Sequence, residues 1–230
     1  MKTIETLIKG NPYPGRGVLI GHCAGWSVIA YFIMGRSENS RNRVFREEGD
    51  ALAIYPFDKS RVEDPSLIIY SPVRVCRGNI VVTNGDQTDT VCAFIEEGKS
   101  FEAALDTRRY EPDAPNYTPR ISGIIEPFGT YRMGILRREP DGDRCEHAYW
   151  RYEPEDGAGR LIHTYETDGE PIPSFAGGPR SVKIDPDCVA FAESIWRSLD
   201  EANKVSLYVR YTDMASGKFT SVLKNKRLGD

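Results

Sequence analysis

Residues 35–43 carry a high density of side chains that bind anions. They contain three arginines, two asparagines and two serines, and they follow the apolar run Trp26–Met34, which predicts a buried strand. Guanidinium groups hold phosphate oxygens with paired N–H donors, and asparagine and serine add directional hydrogen bonds. A strand that leads into such a loop predicts an anion site, although a solvated basic turn would account for the same residues.

Two further stretches have the composition of a polar site. Residues 80–91 predict a strand, an Asn84-Gly85 turn and the start of a helix, with Thr88 and Asp89 as N-cap candidates. The N-terminus of a helix presents free N–H groups and the positive end of a dipole. Residues 109–121 contain three prolines, which stiffen a backbone that carries charges of both signs. Taken alone, the first of these stretches is better explained as an ordinary turn and cap, and the second could equally be a plain proline-rich connection.

The motifs in these stretches, taken in order, resemble the archaeal-type IMP cyclohydrolase family. They are Arg36-Ser37, Asn42-Arg43, Thr83-Asn84-Gly85 followed by Thr88-Asp89-Thr90, Tyr110-Glu111 and Thr118-Pro119-Arg120-Ile121. The resemblance extends over the first half of the chain, and no single motif is specific by itself. It implies an enzyme that converts 5-formamidoimidazole-4-carboxamide ribonucleotide to IMP, the ring closure that ends de novo purine synthesis.

The resemblance assigns roles to ten residues of this sequence. For catalysis it implies that Tyr70 donates to an oxyanion or delivers a proton, and that Glu111 holds the carboxamide N–H or accepts a proton. Arg43 binds phosphate or an oxyanion. The implied substrate-binding residues are Arg36, Ser37, Asn42, Asn84, Gly85, Asp89 and Arg120. Without the resemblance, Tyr70 is better explained as a sheet-edge tyrosine whose hydroxyl lies in water. The implied chemistry requires no metal and no organic cofactor.

Composition narrows the class of protein. The chain has 230 residues, is 40% hydrophobic and 28% charged, and we expect one globular domain over residues 1–230. The net charge of −4 gives no indication of nucleic-acid binding. Five scattered cysteines without a Cys-x-x-Cys pair, and three histidines without metal-ligand spacing, favour reduced thiols, a cytoplasmic location and no structural zinc. We expect no signal peptide and no membrane span.

The apolar patterns predict many short strands and few helices, which is typical of an α+β fold. The predicted strands are 18–20, 26–34, 51–55, 67–70, 73–76, 79–83, 121–126, 130–138, 146–152, 161–166, 205–211 and 218–223. Helices are predicted at 88–97 and 100–108, and a third begins at Pro186 with Asp185 as its N-cap. Several strands are apolar on successive residues, which indicates that both faces of the sheets are covered.

The family resemblance implies a more specific architecture, a four-layer αββα sandwich like that of the N-terminal-nucleophile hydrolases. The nucleophile of those hydrolases is not expected, because residue 2 is lysine. The implied partner is a purine ribonucleotide, and the sequence leaves open whether the chain forms a homo-oligomer. Two other functions stay open, a nucleotide-binding domain without catalysis and an amide hydrolase on the same sandwich, which would need a freed N-terminal nucleophile.

Residues 168–180 are rich in glycine and proline and include Phe175. Glycine pairs permit hinging, so this stretch predicts a lid in which Phe175 covers a bound base. A plain surface loop is the alternative.

Overall fold

The computed structural model describes residues 1–61, 70–140 and 142–229, which form two antiparallel sheets. The strands are β1 (Gly17–Cys23), β2 (Trp26–Met34), β3 (Val44–Glu48), β4 (Ala51–Tyr55), β5 (Val73–Cys76), β6 (Asn79–Thr83), β7 (Arg120–Ile125), β8 (Tyr131–Arg138), β9 (Cys145–Tyr152), β10 (Ala158–His163), β11 (Arg180–Lys183), β12 (Lys204–Thr212) and β13 (Phe219–Asn225). One sheet has the order β11-β10-β1-β2-β12-β13, and the other has the order β3-β4-β5-β6-β7-β8-β9. The prediction of an α+β fold is therefore confirmed.

The helices in the described residues are short, and four of the five α-helices are capped by a polar side chain. They are α1 (Ile4–Ile8), α2 (Glu38–Arg41), α3 (Gln87–Glu96), α4 (Phe101–Leu105) and α5 (Cys188–Ser198), and two single 3₁₀ turns lie at Lys59–Arg61 and Lys226–Leu228. Ser37 caps α2 by accepting the N–H of Ser40, and Asp187 caps α5 by accepting two N–H groups. None of these helices is long and apolar enough to cross a membrane.

Three apolar clusters hold the described elements together. The first combines side chains of both sheets, including Tyr31 of β2 and Met133 of β8, each fully buried. The second lies between α1, α5 and the six-stranded sheet, where Phe191 and Trp196 form the buried face of α5. The third packs α3 and α4 against the seven-stranded sheet through residues such as Phe101. Large buried side chains of this kind contribute roughly 1.5–3 kcal/mol each to the free energy of folding.

Most predicted elements agree with the structure in position. The predictions for β2, β4, β5 and β6 match residue for residue, and nearly all the remaining bounds differ by three residues or fewer at either end. The predicted strand 67–70 lies outside the described residues except for Tyr70. The sequence analysis missed α1, α2, β3 and β11, which are short or carry several charged residues.

The predicted N-caps of two helices are wrong. Helix α3 begins at Gln87 with Asp86 at the N-cap position, so Thr88 and Asp89 lie within its first turn, where the buried hydroxyl of Thr88 donates to the carbonyl of Gly85. Helix α5 begins two residues later than predicted. Asp187 accepts the N–H groups of Val189 and Ala190, and it therefore caps the helix in place of Asp185.

Candidate active site

A cavity of about 430 Å³ collects polar side chains from distant parts of the chain. Its walls come from residues 13–16, 34–43, 111–118, 164–165 and Ile172. These segments precede β1, join β2 to β3, precede β7 and follow β10, so both sheets contribute to the position of the walls. A concave site of this volume, with a few convergent charged groups, is typical of small-molecule binding.

The structure brings four of the ten predicted site residues to this cavity. They are Arg36, Ser37, Arg43 and Glu111. The predicted anion loop and the proline-rich stretch thus meet, although more than 60 residues separate them in the sequence.

Glu111 is presented by a rigid turn. Its N–H donates to the carbonyl of Thr118 at 2.9 Å, which closes the segment into a loop. Asp113 fastens the loop from inside, because Oδ1 accepts the N–H of Thr118 at 2.6 Å and Oδ2 accepts its hydroxyl. The Glu111 side chain is 15% exposed. Its carboxylate is therefore fixed at the cavity wall and is nearly withdrawn from solvent.

Arg16 is the ion-pair partner of Glu111, and the sequence analysis did not single it out. Its Nη1 donates to Oε1 and Oε2 of Glu111 at 3.2 and 3.4 Å. Burial disfavours the charged form of Arg16, but the Glu111 carboxylate and nearby tyrosines outweigh burial and raise the pKa of Arg16 well above its usual value. Gly15-Arg16, immediately before the first strand, is the sequence signal that could have identified it.

Arg43 is a half-buried cation that lines the cavity and has no hydrogen-bond partner among the described residues. Its Nε is buried, and no described acceptor lies within reach of it. Burial lowers the pKa of Arg43, and the nearby charge of Arg16 lowers it further. An unpaired cation at the wall of the cavity, with one N–H already withdrawn from solvent, favours an anion beside Arg43.

Tyr70 lies behind the cavity and is hydrogen-bonded to Tyr31 of β2. Their hydroxyl oxygens are 3.0 Å apart, and both residues are buried. Burial, followed by the neighbouring Tyr70, raises the pKa of Tyr31 well above its usual value. Tyr70 also interacts electrostatically with Arg16 and Arg43. The alternative of a sheet-edge tyrosine with a wet hydroxyl is therefore wrong, since Tyr70 is only 8% exposed.

Arg36 and Ser37 form the outer part of the cavity. Nη1 of Arg36 donates to Asp168 Oδ1 at 2.5 Å and to the carbonyl of Gly169 at 3.1 Å, and its guanidinium lies over the ring of Tyr13. The Arg36–Asp168 pair is partly exposed, since 32% of the Arg36 side chain and 41% of the Asp168 side chain are accessible to solvent. Such pairs contribute little to stability, so a bound anion can compete for this arginine.

Asn42 is buried beside the cavity without lining it. Its amide donates to the carbonyl of Asp58 at 2.8 Å, and its Oδ1 accepts the N–H of Asp58 at 2.7 Å. These two bonds hold the chain just before Arg43. Asn42 therefore lies where it fixes the backbone of its neighbour.

The structure does not bring the other four predicted substrate contacts to the cavity. Asn84 is fully buried and uses its amide within the protein, and Gly85 lies beside it. Asp89 pairs with Arg74 on the surface. Arg120 is paired with Asp86 and also donates to Gln87. Their role as substrate contacts stays a prediction. In the structure, Asn84 and Arg120 join the start of α3 to β7, and Asp89 joins α3 to β5.

A pair of stacked tyrosines, also missed by the sequence analysis, forms an aromatic wall of the cavity. The rings of Tyr13 and Tyr165 are 5.8 Å apart with an angle of 21° between their planes. Since the Thr118 hydroxyl donates to Asp113, the hydroxyl of Tyr165 is the donor in its 2.5 Å bond to Thr118. Tyrosine is common in strands and cores, so its type alone gave no signal of a site.

The prediction that Phe175 covers a bound base is wrong. Phe175 is fully buried in the core, edge-on to the ring of His163 at 4.3 Å, and its N–H donates to the carbonyl of Thr164. Ile172 is the residue of this stretch that lines the cavity. Among the described residues, no group of three or more histidine, cysteine, aspartate or glutamate side chains is arranged to hold a metal ion.

The fold and the site together define an α+β protein with an arginine-rich cavity of small-molecule size. A family model described as IMP cyclohydrolase-like protein matches residues 13–217, so the chain belongs to this family.

Three archaeal relatives, each named IMP cyclohydrolase, show the extent of the similarity. The protein of Halobacterium salinarum is 33% identical over 160 residues, which are 68% of this chain and 74% of the relative. That of Methanothrix thermoacetophila is 31% identical over 166 residues, 70% of this chain and 78% of the relative. The protein of Methanopyrus kandleri is 33% identical over 168 residues, which are 70% of this chain and 79% of the relative.

Proposed function

We propose that this protein is an IMP cyclohydrolase of purine biosynthesis. It closes 5-formamidoimidazole-4-carboxamide ribonucleotide to IMP with loss of water. The observation that carries the proposal is the meeting of Arg36, Ser37, Arg43 and Glu111, all within family motifs, in one cavity of about 430 Å³. Their meeting gives a family defined by sequence a physical site of the right size and charge.

The reaction requires positioning and proton transfer. The carboxamide nitrogen attacks the formyl carbon, a C–N bond forms, and the formyl oxygen gains a negative charge and then a proton. The resulting hydroxyl leaves as water with the hydrogen of the former formamide nitrogen. Because an amide nitrogen is a weak nucleophile, holding the two groups together is a large part of the task and can supply up to about 7–11 kcal/mol.

The side chains of the cavity, together with Tyr70 behind it, divide this task. Glu111 accepts a hydrogen bond from the carboxamide N–H and thereby orients the attacking nitrogen. Tyr70 stabilises the developing oxyanion or gives it a proton. Arg43 binds a negative group of the substrate, which supplies the partner that the arginine lacks within the described residues. Arg36 and Ser37 bind the phosphate at the outer part of the cavity.

The architecture is proposed to be a four-layer αββα sandwich within a single domain spanning residues 1–230. The three apolar clusters support this arrangement, since one contains side chains of both sheets and the other two pack helices against them. The resemblance to the N-terminal-nucleophile hydrolases rests on this layer order. The five cysteines are free thiols, which supports a cytoplasmic location. A homo-oligomer is part of the proposal.

The direct test is turnover by the purified protein. The formylated ribonucleotide is incubated with the enzyme in buffer that contains a chelator, and IMP is measured by chromatography. We expect IMP to form, and Glu111→Gln to lower its rate of formation. Binding of the ribonucleotide without any IMP would contradict the proposal and favour a non-catalytic nucleotide-binding domain.

A further inference from the structure

Arg16 lies beside Glu111 in the cavity and has donors to spare. We propose that Arg16 is a further catalytic residue, which donates a hydrogen bond to the formyl oxygen as that oxygen becomes negative during ring closure. The inference rests on the proposed function and assigns a residue to its most demanding step. It follows from how Arg16 is held, which of its donors are used and what they face.

The backbone around Arg16 is fixed on both sides. The N–H of Arg16 donates to the hydroxyl oxygen of Thr164 at 3.0 Å, and its carbonyl accepts the N–H of Thr164 at 2.9 Å. Gly15 before it has φ +78°, and a Cβ there would lie 2.1 Å from the Thr164 hydroxyl oxygen. A guanidinium held in this way does not need to reorganise during the reaction, which is the condition for strong transition-state stabilisation.

Several N–H donors of the Arg16 guanidinium are not used within the described residues. A guanidinium has five N–H donors, and on Arg16 only Nη1 engages a side-chain acceptor among the described residues. The side chain is 16% exposed and lines the cavity. Its remaining donors are therefore available to a group bound within the cavity, and the low exposure of the side chain strengthens their electrostatic effect.

Glu111 determines which substrate group comes near these donors. If its carboxylate holds the carboxamide N–H, the formyl group that this nitrogen attacks must lie alongside. Nη1 of Arg16 is 3.2 Å from the same carboxylate, so a group bound to Glu111 comes within reach of the adjacent guanidinium donors. Arg36 is less suited to this role, since it is bound to Asp168 at the outer wall.

The electrostatic balance supports the same assignment. Arg16, Arg36 and Arg43 bring three positive charges to the cavity wall, and Glu111 and Asp113 bring two negative charges. The excess positive charge favours an oxyanion over the neutral formyl oxygen that precedes it. Stabilisation of this kind acts on the transition state more than on bound substrate, and it therefore raises turnover more than affinity.

The test compares Arg16 with an arginine in a similar setting outside the cavity. Arg137 pairs with Glu146 through two bonds of 2.8 Å, and its side chain is also 16% exposed. The variants Arg16→Ala, Arg16→Lys, Arg137→Ala and Arg137→Lys are assayed for kcat on the formylated ribonucleotide and for the Kd of IMP. Guanidinium ion is added to both alanine variants.

We expect Arg16→Ala to lower kcat by about 100- to 1000-fold. The Kd of IMP should change by less than about fivefold, Arg16→Lys should lose less activity than the alanine variant, and guanidinium should restore part of its turnover. The Arg137 variants should keep near-wild-type kcat and show no rescue.

Three results would overturn the inference. Arg16→Ala could retain wild-type kcat, or lose kcat and IMP affinity in equal proportion, or lose no more activity than Arg137→Ala. A wild-type protein that forms no IMP would instead overturn the proposed function, and the role of Arg16 with it. The two failures are distinguished by the wild-type assay alone.

Discussion

Arg43 shows at the scale of one residue how a binding site conflicts with stability. Its side chain is half-buried, and its buried Nε has no hydrogen-bond partner among the described residues, which is unfavourable in the empty protein. The same property makes the residue a strong binding site for an anionic ligand. The cost of the charge is thus expected to be recovered when substrate binds.

Replacing Arg43 by methionine should separate these two effects. Arg43→Met removes a half-buried charge together with the unpaired Nε, so we expect the empty protein to unfold at the same or a higher urea concentration. The affinity for IMP should fall by about 10- to 150-fold, the effect of a charge-assisted contact of about 1.5–3 kcal/mol. Urea unfolding and calorimetric titration measure the two quantities. Lower stability with unchanged IMP affinity would show that Arg43 has an internal structural role.

Tyr70 and Glu111 should differ in how they affect kinetics. Tyr70→Phe removes a group needed at the oxyanion, so it should lower kcat by about 10²- to 10⁴-fold with little change in KM. Glu111→Gln keeps the shape of the side chain but removes its charge, and it should lower kcat and raise KM. Tyr149→Phe is a control, since its hydroxyl donates to Asp106 outside the cavity. If Tyr70→Phe retains the wild-type kcat, a group other than Tyr70 must deliver the proton.

The sequence predicted the site residues only in part, and the reason lies in their partners. Arg36 and Arg43 belong to a segment whose composition already indicated an anion site, and Glu111 was identified by the family resemblance. Arg16 was missed because its importance comes from Glu111, which lies 95 positions away. Asn84 was predicted to touch substrate, but a buried amide can serve the backbone equally well, and here it donates to Pro119.

At the scale of elements, the segment that enters β1 positions the catalytic arginine. Gly15 has positive φ, and a Cβ there would overlap the Thr164 hydroxyl at 2.1 Å. Gly10 also has positive φ, at +84°, but nothing lies within 4 Å of the position that a Cβ would take there. Substitution of either glycine by alanine therefore strains the backbone, but only the substitution at Gly15 also causes a steric clash.

Gly15→Ala should consequently cost more than Gly10→Ala in both stability and turnover. Both variants should lose about 1 kcal/mol or more from the left-handed backbone. Gly15→Ala should lose further stability and reduce kcat, because the clash displaces Arg16. Thermal unfolding and steady-state assays of the two proteins provide the comparison. Equal losses in the two variants would mean that the entry to β1 does not position the site.

The elements that the sequence predicted best are those in which local pattern and tertiary environment agree. Strand β2 is apolar almost throughout and buried beyond its first residue, so both of its bounds were predicted correctly. Strand β3 was missed because three of its five residues, Arg46, Glu47 and Glu48, are exposed charges. Helix α2 has four residues, and its stability depends on the Ser37 cap and on its neighbours more than on propensity.

At the scale of the whole molecule, a buried histidine links stability to pH. His163 is fully buried in β10 between Phe175 and neighbouring backbone, and its Nε2 has no partner among the described residues. Burial lowers the pKa of His163 to about 4. In the unfolded chain the pKa of this histidine is near the ordinary value of 6.5. Between about pH 4 and pH 6.5 the unfolded chain is therefore protonated at His163, whereas the folded protein is not.

The free energy of unfolding should accordingly fall as pH falls from about 6.5 toward 4. The contribution of His163 over this range is about 2–3 kcal/mol at about 1.36 kcal/mol per pH unit. Urea unfolding at about pH 7 and about pH 4.5 measures the loss, and His163→Gln should reduce it. His147→Gln, on the edge strand β9, is the control. The same pH dependence in His163→Gln and wild type would contradict this assignment.

The fate of the formyl carbon tests the central claim most directly. The ribonucleotide is labelled with ¹³C in its formyl group, incubated with the protein and followed by NMR. We predict that the label appears at the ring carbon of IMP between the two nitrogens, with one IMP formed for each substrate consumed. Release of the label as formate would indicate amide hydrolysis, and a label that stays in unchanged substrate would show that the cavity binds the nucleotide without closing its ring.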